Sequence, residues 1–107
     1  MVRIVIVDYD MGNLASVRSA FRAVGFDPVI TADPDRVLAA DGIVLPGVGA
    51  FGNGMRKLIE RGLADAVRRA AARGRPVLGI CLGMHLLFEE GEESGAGPGL
   101  GLLKGCV

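Results

Sequence analysis

Two cysteines and one histidine are all that 107 residues contain of the side chains most used in metal sites and disulfide frameworks. Cys81 and Cys106 show no framework spacing, so they are expected to be reduced thiols in a cytoplasmic protein. Without a CxxC or HxxxH pair, no metal site is expected. An excess of charge of one sign is missing too. Twelve basic residues balance 12 acidic ones, and no basic cluster is longer than a pair such as Arg68-Arg69, which argues against nucleic acid as a partner. No apolar run approaches the roughly 18 residues needed to cross a bilayer, so no membrane segment is expected. The start, Met1 to Asp8, is too short and too quickly acidic for a signal peptide. GxxxxGK[ST] does not occur, and no cofactor is expected.

What is present is apolar sequence in two alternating periods. Half of the residues are hydrophobic, enough for the core of one small domain. Val2 to Val7 is a β-branched run suited to a parallel strand covered on both faces. Leu14, Val17, Phe21 and Val24 then recur at helical spacing before Gly25. Pro28 to Thr31 reads as a second strand, and Asp33-Pro34 as an N-cap and first position of a short helix to about Ala39. Gly42 to Leu45 is a third strand. Helices follow over Gly52 to Ile59 and through a stretch that places Leu63, Ala66, Val67 and Ala70 on one face. Val77 to Ile80 is a fourth strand, followed by a helix-like segment over Met84 to Glu89. This βα alternation predicts an α/β fold, an open and mostly parallel sheet with helices on both faces. Gly91 to Gly101, rich in glycine and acid, reads as a mobile loop, and Leu102 to Val107 resumes an apolar pattern. No internal repeat or linker divides the chain, so residues 1–107 are expected to be the N-terminal portion of one domain.

The most informative segment is Gly79-Ile80-Cys81-Leu82-Gly83. A nucleophile on a sharp strand-to-helix turn needs small neighbours, because the surrounding backbone approaches closely while the side chain is held exposed. The helix start beside the sulfur also favours thiolate. A core cysteine in a parallel strand is the alternative, and the glycine spacing argues against it.

Ligands of open parallel sheets bind beyond the carboxyl ends of the strands, and two further motifs fall there. Asp8-Tyr9-Asp10-Met11-Gly12-Asn13 follows the first strand, and Pro46-Gly47-Val48-Gly49-Ala50-Phe51 follows the third. The second has the chemistry of an oxyanion hole, with Gly47, Val48 and Gly49 supplying backbone N–H and Leu82 another from the elbow. Taken alone it is more often a plain βα turn, and the Cys81 elbow on the next strand favours the oxyanion role. His85, four residues after Cys81, points poorly for a general base and suits a pocket lining or a structural place better.

These motifs, in this order, resemble the class I (triad) glutamine amidotransferases, and within them the glutaminase subunits of imidazole glycerol phosphate synthases. The elbow and its continuation Leu86-Leu87-Phe88-Glu89 carry the general resemblance, and the other two motifs the narrower one. The resemblance implies a flavodoxin-like fold and a Cys81 that attacks the side-chain amide of glutamine. It implies oxyanion donors at Gly47, Val48, Gly49 and Leu82, and substrate contacts at Gly83, His85 and Glu93. It also implies a heterodimer with a (β/α)8-barrel cyclase subunit, close to Asp10 to Asn13, that receives ammonia for histidine biosynthesis. In the family a glutamine occupies the place of His85, and a His-x-Glu pair in the later part of a longer chain completes the triad. Neither is found here, so the chain is expected to be truncated, inactive alone, and prone to self-association through an uncovered sheet. A chaperone- or protease-like relative, a fragment that only binds the cyclase subunit, and a glutaminase subunit of another synthase remain alternatives.

Overall fold

The computed structural model describes residues 2–90 and 98–106. Strand β1 (Ile4–Val7) leads through α1 (Leu14–Ala23) to β2 (Val29–Thr31), and α2 (Pro34–Ala39) leads to β3 (Gly42–Leu45). Two helices, α3 (Phe51–Glu60) and α4 (Leu63–Ala72), precede β4 (Val77–Gly79). A one-turn helix α5 (Leu82–Leu86) and two short strands, β5 (Phe88–Glu90) and β6 (Leu103–Cys106), close the described part.

β1 to β4 form one parallel sheet in the order β2-β1-β3-β4, with Val5 beside Val29 and Ile43, and Val44 beside Leu78. Right-handed crossovers then place α1 on one face and α2, α3 and α4 on the other. The two faces are covered unequally. Val5, Val7, Ile43 and Leu45 join Val37, Leu58, Leu63 and Val67 in a continuous core. Each such fully buried aliphatic side chain contributes about 1.5–3 kcal/mol relative to exposure. The predicted face of α4 is buried as expected. On the opposite face α1 stands alone and has no fully buried residue, and Val24, just past its end, is 70% exposed. A groove of about 340 Å³ beside Phe21 there is lined by Ile4, Val44 and Leu78, and Leu78 on the edge strand is 52% exposed.

The local signals explain the starts of the helices. The Asp33 carboxylate accepts from Asp35 N–H at 2.9 Å with Pro34 in the first turn, and the Asn13 side chain accepts from Ser16 N–H at 3.3 Å. Two expectations need correction. The helix predicted to reach Glu89 stops at Leu86, because Phe88 to Glu90 pairs with β6 instead. Gly99 and Leu100, predicted as part of a mobile loop, are packed instead, while Pro98 and Gly101 are exposed. Leu100 is buried, its N–H donates to Leu86 O at 2.8 Å, and the Arg68 guanidinium donates to the carbonyls of Gly99 and Leu100, each at 2.9 Å. Residues 91–97 lie outside the described residues.

Candidate active site

The three motifs meet at the carboxyl ends of β1, β3 and β4. Cys81 has φ +54° and ψ −119°, a backbone region that L-residues rarely adopt. Hydrogen bonds on both sides hold it there. Ile80 N–H donates to Leu45 O at 3.0 Å, and Met84 N–H donates to Cys81 O at 3.0 Å. The flanking glycines are required by space. A Cβ on Gly79 would lie 2.6 Å from Met84 Cα, and one on Gly83 would collide with the Leu45 carbonyl oxygen. The elbow is thus clamped between β3 and the start of α5, with the Cys81 thiol free and exposed.

Pro46 and Gly47 are buried, whereas Val48, Gly49 and Ala50 are exposed. Beneath them lies Tyr9, 0% exposed, whose phenol O–H donates to Pro46 O. Burial pushes the Tyr9 phenol well above its ordinary 10.0, which keeps it a neutral donor. A Cβ on Gly47 would overlap the Tyr9 hydroxyl and lie 3.2 Å from Leu82 Cβ. Gly12 closes the turn from another side, since a Cβ there would lie 3.2 Å from Gly47 Cα.

The expected donor at Leu82 is differently engaged. Its N–H donates to Gly47 O at 3.1 Å, so it is not open to an anion in this arrangement. A buried backbone N–H takes an acceptor, and the Gly47 carbonyl is within reach. The Gly47 carbonyl has to turn away before Leu82 N–H can serve an oxyanion.

The other predicted residues are placed less decisively. Gly83 is buried in α5. His85, half-buried in the same helix, donates its backbone N–H to Cys81 O at 3.3 Å, and among the described residues no hydrogen bond joins its imidazole to Cys81. Glu93 lies outside the described residues. Asp10, exposed and at φ +63°, pairs with Arg61 at the end of α3. Sequence reasoning assigned the loop after β1 to a partner interface and missed that Tyr9 and Gly12 form the floor of the Gly47 turn. An aromatic residue right after an apolar strand, followed by a glycine, was the available signal. Among the described residues no group of three or more His, Cys, Asp or Glu side chains could hold a metal, and no helix is long and apolar enough to cross a membrane.

Chemically, an exposed thiol at a helix start beside a turn of backbone N–H groups suits attack on a carbonyl carbon. Residues 5–95 match the family model for class I glutamine amidotransferases. The chain is 69% identical over 107 residues to the imidazole glycerol phosphate synthase subunit HisH of Symbiobacterium thermophilum, covering 100% of this chain and 50% of that protein. It is 56% identical to the HisH subunit of Sulfurimonas denitrificans over 104 residues, 97% of this chain and 50% of that protein. The chain therefore spans about half the length of the curated relatives it matches. In fold, a crystal structure of a glutamine amidotransferase superposes with TM-score 0.82 at 20% identity, over 96% of this chain and 54% of the other. A putative peptidase E from Listeria monocytogenes gives TM-score 0.72 at 12% identity, over 95% of this chain and 62% of the other.

Proposed function

The chain belongs to the class I glutamine amidotransferases, and we propose that it carries the nucleophile of a glutaminase serving an imidazole glycerol phosphate synthase. The observation that supports this best is the Cys81 elbow at φ +54°, set against the Pro46–Gly49 turn.

In this reading Cys81 gives its proton to a base, and its sulfur bonds to the side-chain amide carbon of glutamine. The amide oxygen becomes an oxyanion, held by Leu82 N–H once Gly47 O has turned away and by N–H groups of Val48 or Gly49. The C–N bond breaks as a proton reaches the nitrogen, which releases ammonia and leaves a thioester. Water then hydrolyses the thioester to glutamate and restores the thiol. Among the described residues no imidazole or carboxylate hydrogen-bonds Cys81, which leaves the base to be assigned. A His-x-Glu pair, as in the family, is the group we assign. Gly83, His85 and Glu93 are the proposed glutamine contacts. A (β/α)8-barrel cyclase subunit is the proposed partner and takes up the ammonia, in the reducing cytoplasm where a free Cys81 survives.

The test is ammonia and glutamate release from glutamine by the full gene product with the cyclase subunit. Cys81→Ala is expected to abolish it, by about 10³-fold or more. The 107-residue chain alone is expected to show no steady release. Undiminished glutaminase activity in Cys81→Ala would overturn the assignment.

A further inference from the structure

We propose that Tyr9 is a positioning residue for the oxyanion turn. Its hydroxyl fixes the Pro46 carbonyl, and thereby fixes where Gly47 presents its backbone to Leu82 and Cys81. The proposal rests on the glutaminase reading of this site.

Tyr9 is 0% exposed, so it cannot touch a substrate beside the exposed Cys81. Its hydroxyl reaches across 37 residues of sequence to the carbonyl that precedes the turn. A buried hydroxyl costs free energy unless it is paired, and phenylalanine would fill the same space without that demand. The hydroxyl therefore has a local use, and the shape of the turn shows which. Gly47 lies so close to the Tyr9 hydroxyl that no Cβ fits between them. Gly12 and Met11 of the same loop close on Gly47 and Gly49, since a Cβ on Gly49 would lie 3.0 Å from Met11 Cε. With Pro46 O held from below, the carbonyl left free to change partner is that of Gly47, now bonded to Leu82 N–H. Tyr9 thus confines the rearrangement to the one peptide that has to move. Its raised pKa keeps the donor protonated throughout the neutral range.

The experiment compares wild type, Tyr9→Phe, Gly47→Ala and the double variant, each as the full gene product with its partner. Two reagents report on Cys81. Iodoacetamide alkylates the thiol without forming an oxyanion, whereas glutamine forms the thioester, trapped as its hydroxamate with hydroxylamine. Tyr9→Phe is expected to alkylate within about twofold of wild type. Its kcat for hydroxamate is expected to fall roughly tenfold with KM for glutamine unchanged, as for a modest misplacement of catalytic groups. In hydrogen exchange, the Leu82 amide of Tyr9→Phe is expected to exchange about fivefold or more faster, while amides of β1 and β3 keep their rates. Gly47→Ala is expected to lose hydroxamate formation, and adding Tyr9→Phe to restore part of it by removing the overlapping hydroxyl.

Wild-type kcat in Tyr9→Phe, an equal slowing of both reagents, or an unchanged Leu82 amide would overturn the proposal. If Tyr9→Phe does not fold, Gly47→Ala decides alone: hydroxamate lost with ordinary alkylation and a faster-exchanging Leu82 amide supports the proposal, and hydroxamate formation at the wild-type rate overturns it. Alkylation of wild type without any hydroxamate defeats the glutaminase reading instead, and the Leu82 exchange rate then decides the part played by Tyr9.

Discussion

The Cys81 elbow and the Pro46–Gly49 turn sit at the ends of neighbouring strands, yet they are held by different means. At the elbow the positions where a Cβ would stand are filled by backbone atoms of Leu45, Gly83 and Met84, which cannot yield without moving β3 or α5. At the turn the limiting neighbour is the end of one side chain, the Tyr9 hydroxyl, and the bond to Leu82 joins two groups that can find other partners. The proposed nucleophile has to be in one place, whereas the proposed oxyanion site has to accept charge only as the reaction proceeds. The rigid part is walled by main chain, and the adjustable part is propped by a side chain.

Substitutions can break that contrast. The largest effect is expected for Gly83→Ala, whose methyl group would meet the Leu45 carbonyl oxygen. It should cost about 3 kcal/mol or more in denaturant unfolding. Gly47→Ala should cost less, about 1–2 kcal/mol, because the Tyr9 hydroxyl is borne on a side chain. Equal losses would show the turn to be as rigid as the elbow.

Cys81→Gly removes the left-handed strain at φ +54° and should stabilise the fold by about 1 kcal/mol while ending the proposed glutamine chemistry. A loss of stability would mean that the thiol packs better than its exposure suggests.

The next effect depends on pH. Burial raises the folded-state pKa of Tyr9 above its ordinary 10.0, so its contribution to stability is complete below pH 10.0 and declines as pH climbs further. Calorimetric melts of wild type should therefore weaken on the alkaline side more steeply than those of Tyr9→Phe. The smallest effect is expected for Asp10→Gly. It relieves positive φ but gives up a surface ion pair with Arg61, for a net change within about 1 kcal/mol by the same melts.

Much of this fold was legible because its signals are local. Asp33-Pro34 begins a helix where the cap and proline say it should, and Gly42 to Leu45 is a strand from end to end as read. The glycines around Cys81 were legible too, since their spacing lies within five residues of chain, although the Leu45 carbonyl that requires Gly83 is distant in sequence. What was not legible depends on partners distant in sequence. Leu100 looks like part of a glycine-rich loop until Arg68, 32 residues earlier, donates to its carbonyl. The engagement of Leu82 N–H by Gly47, and the support of Pro46 by Tyr9, arise only when the strands lie side by side. Period and composition carry no record of such pairings.

Tyr9 is the only tyrosine in these 107 residues, and there is no tryptophan. The near-ultraviolet absorbance and intrinsic fluorescence of this chain therefore come chiefly from the ring whose hydroxyl donates to the Pro46 carbonyl. Rearrangement of that turn, or release of the Pro46 carbonyl, would alter the environment of this one chromophore. The chain carries an optical probe of its own candidate site, with no label to attach and only the weak emission of four phenylalanines beside it.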